Sequence, residues 1–484
     1  MLFTSPIFLF LFLPLTIIGH FLIRDEYKNA FLFVASSIFY FYGEQSMLLL
    51  MYGVITLNYL SALLLGYIGD RFADVERAKS LRLAVTVVCA AACIGLLWYF
   101  KYWNFTLEIF NGVCSGLGLE YHASLVDRIV LPLGISFYTF HVLSYTFDVY
   151  LGKLRPEGNW LRLATYVIMF PQLVAGPIVR YIDVRKQFLS RVVTAVGFSN
   201  GIRRFCFGIA KKVLVANIVA KFADKAFAVP AGDLDFTTAW IGAVCYTLQI
   251  YFDFSGYSDM AIGLASMFGF HYKENFNYPY VSKTLGEFWR RWHISLSSWF
   301  RDYVYIGAGG SRVGKARHYF NLLLVFFLSG LWHGANMTFV LWGLWYGVLI
   351  IMENMFLGDF LKDRKLLAHA YALLAIVFGW VMFRADTVGQ GLHYWFVMVG
   401  GHGVGYFSLM EYLQNDIIFC MLIGALLSWD WTSAYKKVVL GGKKSHVPFL
   451  VSKFSGYFIA FLLFVASVMG IISGTHNPFI YFRF

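Results

Sequence analysis

The sequence predicts an all-α integral membrane protein. Of its 484 residues, 59% are hydrophobic and only 14% are charged, whereas soluble domains are nearer half apolar and a quarter charged. Apolar runs close to the length that a membrane-spanning helix needs recur along the whole chain. A soluble core of ordinary size cannot bury such an excess of apolar side chains. We therefore expect one polytopic membrane domain over residues 1–484.

About a dozen segments have the composition of membrane-embedded helices. Some are too short to cross straight through, and we expect them to be broken or re-entrant, which is tolerated where protein or a cavity covers the backbone. The first lacks a basic start and a cleavage site and is interpreted as a retained helix. The candidates are 1–23, 30–43, 47–69, 83–100, 129–150, 160–179, 197–221, 236–270, 319–331, 336–357, 367–383, 414–430 and 449–474.

Basic residues are concentrated in loops. Arg180–Lys212 contains eight Lys or Arg against one acid, and Lys283–Arg317 contains seven against two. The positive-inside rule places these loops in the cytoplasm, together with Arg24–Lys28 and Arg71–Arg82, so the N-terminus is predicted to be periplasmic. The charge is explained either by topology and anionic lipid contact or by an anionic cytosolic ligand. We expect no nucleic-acid partner.

Metal and disulfide chemistry are not predicted. The six cysteines are scattered without a C-x-x-C pair, which argues against a disulfide framework. No H-E-x-x-H pattern or dense cluster of His, Asp and Glu occurs, so no metal site is expected. A serine hydrolase is disfavoured because no G-x-S-x-G elbow is present.

One amphipathic segment combines arginines with a histidine. From Thr284 to about Tyr305, large apolar residues recur every three or four positions, and arginines occupy the other side. This pattern predicts one helix that lies at the interface or enters the protein partway. Snorkelling of Arg290 and Arg291 explains the arginines, but it does not explain His293.

Polar and ionisable residues in spanning segments are costly and suggest function. His333 lies in the apolar stretch LSGLWHGANMTFVLWGLWYG, with Asn336 one turn later. Gln249 and Asp253 share a helical stripe in a second segment, where Gly256 permits close approach or a break. The alternative for the histidine is a hydrogen-bonded structural residue. For Asp253 it is a packing hydrogen bond or a buried ion pair.

Several long motifs resemble one family, the membrane-bound O-acyltransferases, in particular their bacterial alginate O-acetyltransferase branch. They appear in the same order as in that branch and extend over nearly the whole chain. The motifs are LPLGISFYTFHVLSYTFDVY (131–150), FPQLVAGPIVRY (170–181), QIYFDFSGYSDMAIG (249–263), FWRRWHISLSSWFRDYVYI (288–306), LSGLWHGANMTFVLWG (328–343) and the terminal PFIYFRF (478–484).

The resemblance implies tilted and broken helices in a ring around a central funnel, with a deep catalytic histidine. His333 matches that histidine and His293 matches the second one. A histidine near neutral pKa suits general-base work on a thioester. In this interpretation Arg290 and Arg291, beside Trp292, hold donor phosphates. Trp332 or Asn336 supports the oxyanion.

The last residues suggest an acyl acceptor. In the related D-alanine transfer system, a small partner peptide ends in a similar aromatic motif with a tyrosine. Tyr481 in NPFIYFRF is therefore a candidate transient acetyl acceptor. The alternative is an interfacial aromatic anchor.

The resemblance implies a bacterial inner-membrane acetyltransferase. It would move an acetyl group from cytoplasmic acetyl-CoA to an extracytoplasmic polysaccharide of the alginate, peptidoglycan or cellulose type. An SGNH-type O-acetyltransferase would act as the partner outside. Two other functions stay open at this point: a secondary transporter of an anionic solute, and a non-catalytic scaffold of a glycan-export complex.

Overall fold

The computed structural model describes residues 1–72, 74–119, 121–126, 129–401, 412–431 and 449–474, with side chains from residue 455 onward in the last range. Over these residues all regular elements are helices and no strand is present. Five helical runs are long and apolar enough to cross a membrane. The prediction of an all-α membrane protein is confirmed.

Some helices of the first part of the chain differ in length from the predicted apolar runs. The predicted span 160–179, for example, is divided into two helices at Met169. In chain order they are α1 (Leu13–Leu22), α2 (Lys28–Glu44), α3 (Met47–Arg71), α4 (Val75–Leu97), α5 (Trp103–Gly116), α6 (Ile135–Tyr150), α7 (Trp160–Ile168), α8 (Phe170–Leu173) and α9 (Tyr181–Leu189).

The remaining helices include the longest single one, α12. They are α10 (Ala195–Ala210), α11 (Asn217–Ala228), α12 (Phe236–Met267), α13 (Leu285–Arg291), α14 (Ile294–Phe300), α15 (Lys315–His333), α16 (Met337–Met352), α17 (Gly358–Leu361), α18 (Lys365–Arg384), α19 (Val388–Met398), α20 (Asn415–Leu427) and α21 (Phe449–Ile472).

The chain forms two compact units. The first comprises Met1–Phe198 with Leu264–Lys273, and the second comprises Ser199–Gly263 with Glu274–Phe484. Both predicted histidines, His293 and His333, belong to the second unit.

In the first unit, α4 and α5 form one 42-residue helical run, Val75–Gly116, through a π-helical turn at Trp98–Tyr102. At 1.5 Å per residue this run is about 63 Å long. Asn104 and Asn111, two turns apart on α5, each bond both backbone groups of one residue in an adjacent segment. Their partners are Val126 at 3.0 Å and Ala123 at 2.8–2.9 Å.

In the second unit, α10 and α12 approach each other through glycines. A Cβ atom at Gly256 would lie 2.7 Å from the carbonyl oxygen of Gly208, and one at Gly263 would lie 2.7 Å from that of Gly201. Gly201 and Gly208 are seven residues apart on α10, and Gly256 and Gly263 are seven residues apart on α12. Each helix therefore presents a face without side chains at two positions two turns apart. The close approach predicted at Gly256 is confirmed, and α12 passes through this residue unbroken.

The predicted continuous helix from Thr284 to Tyr305 is wrong. The chain forms α13, leaves the helix at Trp292 and His293, and resumes as α14. The break has a nonlocal cause: the Asn277 N–H donates to the Arg291 carbonyl at 2.9 Å, and the Ile294 N–H donates to the Asn275 carbonyl at 2.9 Å. These two bonds replace helical bonds across the break and leave His293 in a left-handed conformation, at φ 44°.

Candidate functional site

His333 is the last residue of α15, at the tip of a tight helical hairpin. The hairpin of α15 and α16 closes through Gly330 and Gly343. A Cβ at Gly330 would lie 2.3 Å from the Phe339 carbonyl oxygen, and one at Gly343 would lie 2.3 Å from that of Phe326. Only glycine permits this crossing, which fixes where the histidine leaves the helix.

An aromatic cage surrounds the His333 ring. The side chain is only 6% exposed. Trp342 of α16 packs edge-on at a centroid distance of 5.0 Å, Phe383 of α18 lies at 5.3 Å, and the neighbouring Trp332 at 4.9 Å. An enclosure of this kind leaves little room for water around the ring.

His293 lies beside His333. Their ring centroids are 6.4 Å apart, and Trp332 contacts the His293 ring at 5.8 Å. His293 is 1% exposed. Neither of its ring nitrogens has a hydrogen-bond partner among the described residues. Buried polar groups are normally paired, and among the described residues His20 and His141 share this lack of a partner at both ring nitrogens.

A pocket of about 630 Å³ is lined by residues that are close in sequence to the two histidines, although neither His293 nor His333 is among its lining residues. Its wall includes Ile294, which follows His293, and Ser329, one turn before His333 on α15. Exposed Arg290 and Arg301 also line it, and other parts are apolar. The apolar and aromatic lining residues include Trp289, Leu296, Phe300, Leu322, Val325, Phe326 and Ile350.

The two predicted phosphate-binding arginines have different surroundings. Arg290 lines the pocket. Arg291 is not part of its lining: its Nε bonds Glu287 at 3.0 Å and its Nη1 donates to the Asn277 carbonyl at 3.1 Å. The pocket lining instead includes Arg301, whose Nε donates to the Asp302 carboxylate at 2.7 Å.

The side chains of Asn336 and Trp292 are both held by contacts within the protein. The Asn336 Oδ1 accepts from the Thr338 N–H at 3.0 Å and caps α16, and its Nδ2 donates to the Asp386 carbonyl at 3.0 Å. Its amide is therefore engaged at both ends. Trp292 is 2% exposed and packs on Trp380 at 4.8 Å.

Asp253 forms a buried ion pair. Its carboxylate lies 2.6 Å from the Lys212 ammonium, and the two side chains are 3% and 1% exposed. Lys212 also donates to Asn217 at 3.0 Å. The buried ion pair that the sequence analysis gave as one alternative for Asp253 is therefore present. Gln249, one turn earlier on α12, is 4% exposed.

The remaining predictions concern the terminal tyrosine and metal binding. Tyr481 lies outside the described residues. Among the residues that are described, no group of three or more His, Cys, Asp or Glu side chains is arranged to hold a metal ion.

Comparison with known proteins places the chain in a family. Residues 154–383 match the membrane-bound O-acyltransferase (MBOAT) family. The chain is 38% identical to the probable alginate O-acetylase AlgI of Pseudomonas putida, with all of both chains covered. It is 44% identical to the probable alginate O-acetylase AlgI of Pseudomonas aeruginosa, over 80% of this chain and 73% of that one. The peptidoglycan O-acetyltransferase of Helicobacter pylori is 34% identical, over 84% of this chain and 81% of that one.

An all-helical membrane protein with these relatives is a membrane acyltransferase. The chain belongs to the membrane-bound O-acyltransferase family, and within it to the alginate O-acetyltransferase-like branch. The resemblance seen in its motifs is confirmed.

The buried ion pair generates a stability prediction. Lys212→Met or Asp253→Leu alone leaves one charge buried without its partner, which costs about 3–5 kcal/mol. We expect each single variant to lower the thermal unfolding midpoint in detergent. The double variant, which removes both charges, should recover most of the loss. Single variants that unfold like the wild type but lose acyl transfer would instead make Asp253 a functional group.

Proposed function

We propose that the protein transfers an acetyl group from a cytoplasmic thioester donor, across the inner membrane, for O-acetylation of an extracytoplasmic polysaccharide. The observation that carries the proposal is the pair of buried imidazoles, 6.4 Å apart, next in the chain to residues of a large pocket. The names of the relatives in Pseudomonas putida and Helicobacter pylori support a polysaccharide acceptor of the alginate or peptidoglycan type; cellulose is a third candidate.

Acetyl-CoA is the proposed donor, and the pocket suits its parts. Arg290 and Arg301 line the pocket as exposed cations, and guanidinium groups match phosphate oxygens. The apolar wall suits the pantetheine arm. Ser329 of the wall is one helical turn from His333, so a thioester held beside Ser329 is near the base.

The proposed reaction is a simple acyl transfer. The His333 imidazole takes the proton of an acceptor hydroxyl as the hydroxyl oxygen attacks the thioester carbonyl carbon. The tetrahedral intermediate then collapses, the carbon–sulfur bond breaks, and the departing thiolate takes the proton from the imidazolium. The products are an acetyl ester and free CoA. His293, whose ring nitrogens have no partner among the described residues, orients the thioester or the acceptor.

We further propose a membrane topology and a partner protein. The basic loops face the cytoplasm, which leaves the N-terminus in the periplasm. Five apolar helical runs and the family support a multi-pass membrane protein. An SGNH-type O-acetyltransferase on the outer side is the proposed recipient of the acetyl group, and it would complete transfer to the glycan.

The first prediction concerns the base. His333→Ala should lower the release of CoA from radiolabelled acetyl-CoA by at least about 100-fold in proteoliposomes, because general-base catalysis contributes about 10²–10⁴-fold. The matched control is His122→Ala, since His122 is an exposed histidine outside the site. Equal rates for the wild type and His333→Ala, at equal folded yield, would reduce His333 to a packing residue.

A second prediction concerns the donor. Arg290→Glu should raise the KM for acetyl-CoA by at least about tenfold and leave kcat nearly unchanged, because a repelled phosphate weakens binding in ground and transition states alike. Added salt should shrink the difference from the wild type. Arg71→Glu makes the same charge change at an exposed residue of the other unit and should leave KM unaltered. An unchanged KM in Arg290→Glu would exclude this arginine from donor binding.

The terminal tyrosine is tested separately. We propose that the Tyr481 hydroxyl is the first acetyl acceptor, forming an aryl acetyl ester with release of CoA. Tyr481→Phe removes the oxygen that would carry the group, so acetylation of polysaccharide in cells should stop. Mass spectrometry should find acetyl on the C-terminal peptide of the wild type alone. The same change at exposed Tyr27 is the control. Normal acetylation by Tyr481→Phe would leave the residue an interfacial anchor.

A further inference from the structure

We propose that Asn275 is a positioning residue for the transfer reaction, and that it holds His293 in its left-handed conformation from an anchor at Ser258 on α12. The inference rests on the proposed function, because it concerns the support of the second histidine. None of the sequence motifs that predicted the site identifies Asn275 by its chemistry.

The backbone of His293 needs an external support. Its φ of 44° and ψ of 53° lie in the left-handed region. Side chains other than glycine enter this region only at an energetic cost, which surrounding structure must offset. The residue is also buried, so water cannot supply the hydrogen bonds that the helix break removes. The support must come from protein groups next to residues 293–295.

Asn275 supplies that support with its backbone and both ends of its side chain. Its carbonyl accepts from the Ile294 N–H at 2.9 Å. Its Oδ1 accepts from both the N–H of Ser295, at 3.2 Å, and the hydroxyl of Ser295, at 2.8 Å. Its Nδ2 donates to the Ser258 hydroxyl at 2.9 Å. Three of these four bonds bind the two residues that directly follow His293.

The amide can serve in this way in one orientation only. The Ser295 N–H is a donor, so the atom of Asn275 that faces it must be the oxygen. The nitrogen then faces Ser258. Asn275 is fully buried, at 0% exposure, and loss of its amide would leave the Ser295 N–H without this acceptor in a site that water does not reach.

α12 supports both the backbone and the ring of His293. Ser258 receives the Asn275 bond, and Phe254, one turn earlier, packs edge-on against the His293 ring at 4.6 Å. The helix is fixed at this level because Asp259 binds the Lys211 ammonium at 2.6 Å and the Arg204 guanidinium at 2.8 Å. The imidazole is therefore oriented from two sides by one anchored helix.

The experiment measures kcat and KM for radiolabelled acetyl-CoA in proteoliposomes. Asn275→Ala should lower kcat by about 10- to 100-fold with KM within about twofold, because small misplacements of a reacting group cost rate more than affinity. Ser258→Ala, which removes only the outer bond, should lower kcat less. Asn277→Ala is the matched control. It removes an exposed amide from the same loop, leaves both bonded backbone groups in place, and should match the wild type.

A double-mutant cycle separates positioning from general structure. If Asn275 acts through His293, then Asn275→Ala should add nothing in a His293→Ala background. A merely structural role would multiply the two losses, and that result would overturn the inference. Should Asn275→Ala fail to fold, the cycle of Ser258→Ala with His293→Ala decides by the same criterion.

The remaining outcomes distinguish this inference from the function on which it rests. A transfer-competent wild type with Asn275→Ala indistinguishable from Asn277→Ala would overturn the positioning role alone. A rise in KM with unchanged kcat would also overturn it, because that pattern indicates lost binding. A wild type that releases no CoA from acetyl-CoA would overturn the proposed donor chemistry, and the positioning role with it.

Discussion

The close approach of α10 to α12 is the constraint on which the second unit depends. It exists because two glycines on each helix leave their backbones free to touch, at Gly201 with Gly263 and at Gly208 with Gly256. At this distance lysines that follow α10 reach carboxylates on α12, which gives the buried Lys212–Asp253 pair and the Lys211–Asp259 pair. Burial strengthens the Lys212–Asp253 pair and makes each partner depend on the other, whereas Asp259 is also held by Arg204.

Polarity inside this protein has two forms that serve different purposes. The carboxylates of α12 are matched by cations, so their charges lock helices together. His293 has no hydrogen-bond partner at either ring nitrogen among the described residues, and His333 is enclosed by aromatic rings. Under the proposed function, the paired charges of α12 hold the helices together and the two imidazoles carry out the transfer.

Features that depend on local composition could be predicted from the sequence. His333 is predicted as a site residue because it is an imidazole in an apolar run and because it matches a family motif. Gly256 marked a close approach because glycine removes a side chain wherever it occurs. The packing alternative for Asp253 described an ion pair, but its partner Lys212 could not be identified, since it belongs to a separate stretch of chain and no spacing rule connects the two.

The break at His293 could not be predicted for a related reason. Helical periodicity is good on both sides of it, in α13 and α14, and local propensity favours continuation. What interrupts the helix is hydrogen bonding to residues 275–277, which precede it in the chain and carry no helical pattern. No sequence pattern marks Asn275, because its proposed role depends on the hydrogen bonds of a single amide. By contrast, the engagement of Arg291 with Glu287 could have been anticipated, because residues four apart on a helix commonly pair.

The long run Val75–Gly116 has a consequence for the geometry of the protein in the bilayer. A rod of about 63 Å exceeds the hydrocarbon thickness of about 30 Å twofold. Even at the largest usual tilt of about 40°, the hydrocarbon takes up only about 39 Å of it. About 24 Å of the run must therefore lie outside the hydrocarbon. The first turns of α4 carry Glu76, Arg77, Lys79 and Arg82, so part of this length belongs to the α4 end and only the rest to the α5 end. Both ends enter the interfacial or aqueous layers, on opposite sides of the bilayer.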